Sequence, residues 1–485
     1  MSIEHKAISA LKWATVAKLV VQIASWAGTL MIVRLLRPED YGLMAKVAVV
    51  CAIAGAIAEL GLGAAIVRSV DMTRVDLQKV YGVSLFFGTC MTTVLVVTAP
   101  LLARLFQEPR LAWPIAVASL QIIVGAVALV PNTLATRELS FGRLSKIEIA
   151  AGITGIAATL LLALTGAGVW ALVLGTLFGA VMRSTALLVF GERVRPILSA
   201  RGIGEYLKFG LTVAGNRVSY FIVVQSDVLI GSAFLSTTEI GQYAVALQLA
   251  TLPMTKVMGT INEITMPAVA QQQRDLPHVR ETVLRVLGFI SLIAFPMLWG
   301  ISATAPELIL VLLGSKWLSA VPALTILPLV IPVRMVCGVM FTVSLALGNR
   351  QLDLRNTFVT FVFLPSGFFV GAHWGLVGLC SAWLVSVPVA YAFTVPAVLR
   401  RIGIRARELV PECGPPAVAA TAMYAVIWAF RPALAGRSSI LALLALVGAG
   451  ALTYVGVMAL ISRRHLEGAR NFARLLRGGN APEVA

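Results

Sequence analysis

Charge is scarce in this chain. Asp, Glu, Lys and Arg make up 13% of its 485 residues, against roughly 25% in an ordinary soluble domain. Acids are scarcer than bases, with 22 Asp and Glu against 39 Lys and Arg and a net charge of +17. The five cysteines (Cys51, Cys90, Cys337, Cys380, Cys413) lie in or beside apolar runs, with no CxxC or Cys/His spacing. They point to neither a disulfide framework nor a metal site, and read as small buried hydrophobes. His5, His278, His373 and His465 are scattered, and no Ser-His-Asp or paired-carboxylate arrangement stands out. No Walker loop is present, so the chain does not hydrolyse ATP by that route. The expectation is a protein that is not an enzyme and carries no metal or cofactor.

What fills the chain is apolar: 59% of residues are hydrophobic and the mean hydropathy is +0.90. Apolar runs of ~20 residues recur along its length, the span an α-helix needs to cross a bilayer. The fold class is therefore all-α and polytopic; a transmembrane β-barrel would show short alternating segments. The positive charge fits loops facing an anionic inner leaflet better than nucleic acid. The first run is too long for a signal peptide and no small-residue cleavage site follows it, so the first helix is expected to be retained.

The hydropathy pattern predicts fourteen spans: 12–34, 43–67, 81–105, 113–135, 147–165, 168–190, 207–231, 240–266, 283–304, 319–347, 356–372, 375–399, 410–430 and 438–462. Tight turns, Gly166-Ala167-Gly168 and Gly371-Ala372-His373, divide the fifth span from the sixth and the eleventh from the twelfth. The text after each is similar, at an offset of 207. Trp170 and Trp374, next to these turns, suit a membrane–water interface. An earlier stretch also recurs, at an offset of 199: Leu35–Ala45 (LLRPEDYGLMA) matches Phe234–Ala244 (FLSTTEIGQYA). Both stretches follow an apolar run that holds a cation, Lys18 in the first and Arg217 in the second. The expected domains are an N-lobe of six helices (1–195), a C-lobe of six (196–402), two further helices (403–462) and a basic tail (463–485). An even number of spans per lobe makes this a parallel pseudo-two-fold repeat. The join, Arg193–Lys208, reads as a basic inner linker with a short amphipathic piece.

Lys and Arg fix the expected orientation. With the N-terminus inside, 27 fall in inner segments and 8 in outer loops. The other four, Lys18, Arg217, Lys256 and Arg334, are placed inside spans. This bias puts both termini in the cytoplasm, and the tail Arg463–Arg477 on anionic lipid of the inner leaflet.

An ionisable side chain at mid-helix in hydrocarbon costs at least ~2.5–3.5 kcal/mol, so it should face protein or a wet cavity. The candidates are Lys18, Glu59, Arg217, Asp227, Lys256, Glu263 and Arg334. Lys18, Gln22, Ser25 and Thr29 form one helical stripe; Asn216, Tyr220 and Asp227 form another, with Arg217 at its edge. Lys256 and Glu263 share a face. Under the repeat, Lys18 and Arg217 meet across a central cavity and make a site for an anion, a diphosphate or carboxylate. Lys256 and Arg334 are further anion-site candidates. Glu59, Asp227 and Glu263 are candidates for ion coupling.

ISALKWATVAKL, RLLRPEDYGLMA and AELGLGAAIVR (Ala58–Arg68) give the first 68 residues a family likeness. Further matches are LATRELSFGRL (Leu134–Leu144), the stretch around Leu207–Asp227, and LLGSKW (Leu312–Trp317). The chain resembles the polysaccharide transporter branch of the MOP flippases, in particular the Wzx-type exporters of colanic acid and related exopolysaccharides. The resemblance implies fourteen helices in two lobes, a V-shaped cavity and alternating access. It implies a substrate of undecaprenyl-diphosphate-linked oligosaccharide, flipped from the inner to the outer leaflet of the bacterial inner membrane for exopolysaccharide or lipopolysaccharide synthesis. The implied partners are that lipid-linked oligosaccharide, membrane lipids, a polysaccharide polymerase and a chain-length regulator; a monomer is expected. Proton or sodium coupling stays open. Relatives that flip the peptidoglycan precursor carry an Arg-Asp pair late in the first helix, where this chain has Val33-Arg34-Leu35-Leu36. The alternatives are a multidrug antiporter using Glu59 or Asp227, and an integral-membrane glycosyltransferase or polymerase.

Overall fold

The computed structural model describes residues 25–69, 71–252, 258, 275–348, 350–434 and 436–462. Every secondary-structure element among these residues is a helix, with no strand among them. Two compact units divide the chain, one through Gly241 and one from Gln242. Eleven helical segments among the described residues are long and apolar enough to cross a membrane. The expected spans not among them are the first, seventh and eighth. The first and eighth run into residues outside those described, and the seventh is broken at Gln225. The protein is a multi-pass, all-α membrane protein.

The first unit holds α1 (25–35), α2 (Pro38–Ala58), α3 (Leu62–Arg68), α4 (Arg74–Leu105), α5 (Ala112–Ala118), α6 (Leu120–Arg137), α7 (Phe141–Leu164), α8 (Val169–Phe190), α9 (Gly204–Val224) and α10 (Ser226–Phe234), and the start of α11 (237–252). Small residues set its closest helix pairs. In the α7–α8 hairpin a Cβ on Gly175 would fall on the Thr159 side chain, and one on Gly179 would lie 3.2 Å from the Ala151 carbonyl oxygen. Backbones approach this closely in a membrane protein because lipid supplies no hydrophobic drive between helices and contact must come from packing.

The second expected span is not one helix. Leu60 and Gly61 take positive φ, 49° and 60°, and split it into α2 and α3. The break is built against α9: a Cβ on Gly61 would strike the Gly210 carbonyl oxygen, and one on Gly210 the Leu60 carbonyl oxygen. The linker departs from expectation too. Residues 192–200 form no helix, amphipathic or otherwise. They lie along the start of α4, where the Ile197 N–H donates to the Gln78 carbonyl at 2.9 Å and Gly82 leaves room for the Ile197 backbone. Lys79 Nζ ties the far end by donating to the Arg201 carbonyl at 2.8 Å.

The second unit continues with α12 (Leu276–Ala303), α13 (Ala305–Leu312), α14 (Val321–Ala346), α15 (Arg350–Ala372), α16 (Gly375–Arg401), α17 (Val410–Phe430) and α18 (Ser439–Ile461). Phe295 of α12, Met423 and Ile427 of α17, and Leu446 and Met458 of α18 share one core. The Tyr454 hydroxyl donates to the Leu292 carbonyl at 2.9 Å across it. The α15–α16 turn sits two residues later than expected, at His373-Trp374, and Gly375 carries the positive φ of 68°. Gly371 lies within the helix, where a Cβ would meet the Gly378 carbonyl of the facing helix.

A cavity with two arginine–glutamate pairs

The break between α2 and α3 leaves Glu59 at the end of α2. Gly210 holds the same break against α9, and Arg217 lies seven residues beyond it, two helical turns along. The two side chains meet: Arg217 donates through Nη1 to Glu59 Oε2 at 2.6 Å, with the arginine side chain 46% exposed and the glutamate 30%. Both line a cavity of about 440 Å³ in the first unit.

Sequence reasoning counted Arg183 with the inner loops. It lines the same cavity from within α8. Gly175, Gly179 and Arg183 recur every four residues on one helix face, so the glycine seam with α7 continues into an ion pair. Arg183 Nε donates to Glu148 Oε1 of α7 at 2.6 Å, and Nη2 donates to Asn132 Oδ1 of α6 at 3.0 Å. The signal in the sequence was the spacing of that arginine from two glycines. Gln121 adds an amide to the cavity wall, its Nε2 bonded to Thr176 Oγ1 at 3.0 Å. Ser84 lines it as well; its hydroxyl is buried and has no hydrogen-bond partner among the described residues.

Each guanidinium is neutralised by one carboxylate yet keeps spare donors, since an arginine has five N–H groups. Such a site can take an oxyanion on the spare donors or by displacing the glutamate. The neutral amides and the open hydroxyl suit sugar hydroxyls.

Other expected site residues lie elsewhere. Asn216 and Tyr220 are on the open side of α9, whereas Asp227 is buried, its Oδ1 accepting from the Val228 N–H at 2.7 Å. The stripe expected to join them is interrupted because the helix breaks at Gln225. Ser25 is half-buried, and its carbonyl accepts from the Thr29 hydroxyl at 2.9 Å. In the second unit, Arg334 stacks its guanidinium 4.4 Å from the centre of the Trp383 ring. The indole N–H in turn donates to the Tyr243 hydroxyl at 2.7 Å. Lys18, Gln22, Lys256 and Glu263 lie outside the described residues.

The sequence profile of a family described as polysaccharide biosynthesis protein matches residues 31–322, more than half the chain. The chain belongs to that family. The chain is 26% identical over 408 residues to a membrane protein of the cps region of Klebsiella pneumoniae, covering 82% of this chain and 84% of the relative. It is 24% identical over 393 residues to the lipopolysaccharide biosynthesis protein WzxC of Escherichia coli K12, covering 79% of each. Among solved structures it shares its fold with the lipid II flippase MurJ in an inward closed conformation, at a TM-score of 0.74 and 14% identity, over 92% of this chain and 100% of that one.

Proposed function

We propose that the protein is a flippase for a polysaccharide precursor, a polyprenyl-diphosphate-linked oligosaccharide that it carries across the bacterial inner membrane. The single observation that carries this reading is Arg217, an arginine half open to a membrane-protein cavity whose ion pair among the described residues is with Glu59. An ionised group is costly within a membrane and is retained where it serves a substrate path. A diphosphate offers more oxyanions than one carboxylate and competes with Glu59 for Arg217. The displaced glutamate then competes for the return, so the grip stays weak enough to release the load. Lys18, the counterpart of Arg217 at the 199-residue offset, is the second cation of this anion site, and Lys256 and Arg334 are reserves along the path.

The family membership and the relatives in polysaccharide pathways support this reading, as does the Lys/Arg bias for cytoplasmic termini. Fourteen spans in two repeated lobes, action as a monomer, and work beside a polymerase and a chain-length regulator belong to the same proposal. The antiporter alternative needs a free acidic group for a cation; in this cavity Glu59 already holds an arginine. The test is complementation of a strain lacking the native gene. Surface polysaccharide should return with the intact chain and fall with Arg217→Ala at equal membrane protein level; full export by the variant refutes the role of Arg217.

A further inference from the structure

Besides the cavity that holds Arg217, the first unit has a second pocket, of about 510 Å³, between the end of α3 and the start of α9. Arg68 stands in the last turn of α3 and Lys208 in the second turn of α9, and both line it. One carboxylate, Glu205, is also in the wall. None of these three groups is in an ion pair among the described residues. Their sum is a single positive charge.

Arg68 is held by its face. Its guanidinium lies over the Phe209 ring, 4.5 Å from the centre. Stacking uses the π face of a guanidinium and leaves its N–H donors, which lie in the plane, directed outward. An arginine held in this way can grip two oxygens of a phosphate with its edge. Ser69, where the chain leaves α3 in extended backbone, and Thr212 add hydroxyls. The Thr212 hydroxyl donates to the Lys208 carbonyl at 3.1 Å, so its lone pairs are left for a donor on a ligand. Beside these polar groups the surface is apolar and open. Val67, next to Arg68, is 49% exposed, and Leu211, one turn from Lys208, is 58% exposed. A cationic pocket with an exposed apolar rim matches both parts of a phospholipid, the phosphate and the start of the acyl chains.

We propose that this pocket binds the headgroup of a singly charged anionic phospholipid, of the phosphatidylglycerol kind, from the inner leaflet. The phosphodiester lies on Arg68 and Lys208, and the headgroup hydroxyls reach Glu205 and Thr212. Charge selects this ligand. One phosphodiester balances the net charge of the pocket, a diphosphate overfills it, and a zwitterionic headgroup leaves it unbalanced. The apolar rim selects a lipid over free phosphate. The inner-leaflet placement rests on the Lys/Arg orientation; the site itself does not. Bound there, the lipid bridges α3 and α9. These helices flank the joint at Gly61 and Gly210 that brings Arg217 to Glu59. Two like charges on neighbouring helices thus become a tie between them.

Binding is read on the full-length protein in detergent, as the rise in melting temperature on titration with dioleoyl-phosphatidylglycerol. A saturable rise is expected, and dioleoyl-phosphatidylethanolamine should give less than half of it. Arg68→Gln combined with Lys208→Gln should raise the midpoint concentration at least about tenfold, since each removes a charge-assisted contact. Lys146→Gln, at an exposed cation of α7, should leave the midpoint unchanged. Should the double variant fail to melt cooperatively, Lys208→Gln alone decides, because Lys208 is exposed. Arg68→Lys keeps the charge but loses the stacked fork, and should fall between the unaltered chain and the double variant. An equal rise with phosphatidylethanolamine, an unchanged midpoint in the deciding variant, or an equal loss in Lys146→Gln overturns the proposal. So does removal of the rise by millimolar phosphate, which would make this a free-phosphate site, or by pyrophosphate, which would make it a diphosphate subsite. The measurement needs no transport. Loss of export in the unmodified chain would therefore refute the flippase reading while leaving the titration to judge this site.

Discussion

Arg217 and Glu59 are 158 residues apart in the chain and 2.6 Å apart in the cavity. Their meeting depends on Gly61 and Gly210, which let the break after α2 lie against α9. If the pair is an anion site that also lets go, its two members differ in effect. Arg217→Ala removes a charge-assisted contact of about 1.5–3 kcal/mol to the substrate, which predicts a loss of export of roughly ten- to a hundredfold. Glu59→Gln leaves the arginine free, so a soluble pyrophosphate probe should bind the purified protein more tightly than it binds the unaltered one. Isothermal titration measures this, and weaker binding by Glu59→Gln would show that the glutamate helps to hold the ligand.

The α7–α8 seam positions Arg183 on Glu148, and Gly175 is its tightest point. Gly175→Leu drives a side chain into Thr159. Such overpacking costs about 1–3 kcal/mol. The expected result is a lower melting temperature in detergent than for Gly152→Leu, a control on the open side of α7 where nothing lies within 4 Å. Equal melting temperatures would mean that the seam yields freely.

The helical class and the positions of the long spans were legible because hydropathy reports directly on what lies within a bilayer. The breaks were less legible. Leu60 has no intrinsic preference for positive φ, and it adopts 49° because α9 packs against the turn. Arg183 and Lys46 fall inside the expected spans 168–190 and 43–67, but near their ends, and so were counted with the flanking segments. Only the tertiary contacts show that Arg183 prolongs a glycine seam and that Lys46 is buried against Thr237. The Gly42–Gly241 correspondence was in the sequence as a spacing, but its meaning as a contact was not.

Glu108 predicts a pH dependence. Burial acts to raise its carboxyl, but hydrogen bonds from Arg110 and Thr237 and the charges of Arg110 and Lys46 outweigh it and hold the group below the usual carboxylate range. A depressed folded-state value stabilises the fold above the unfolded value, and the benefit is lost as pH falls through the folded one. Glu108→Gln should therefore lower the melting temperature at pH 7, with the difference from the unaltered protein shrinking only below the ordinary range near pH 4. A difference that vanishes already near pH 6 would assign the effect to another group.

Orientation has its own test. Reporter fusions after residue 485 and in the loop near Lys316 should give opposite sidedness, cytoplasmic for the first and external for the second. The same side for both would refute the expected topology.

The last prediction concerns Lys18, known here from the sequence alone. The 199-residue offset pairs it with Arg217, and the same offset pairs Pro38 with Thr237 and Gly42 with Gly241, which do form reciprocal contacts. Two cations in equivalent opening helices can divide the load of a diphosphate, so that neither grips it alone. Removing either should weaken transport while leaving the fold intact, because a cation that faces a wet cavity contributes little to packing. Lys18→Ala is expected to lower export at normal membrane level, and Lys18→Glu to lower it further by repelling the anion. Lys18→Arg keeps the charge and should retain more function than Lys18→Gln, which keeps only polarity. Surface polysaccharide in a strain lacking the native gene reads all four variants against immunoblotted protein. If Lys18→Ala complements fully while Arg217→Ala does not, the anion site is one-sided, and Arg183, already in the cavity with Arg217, becomes the second cation to test.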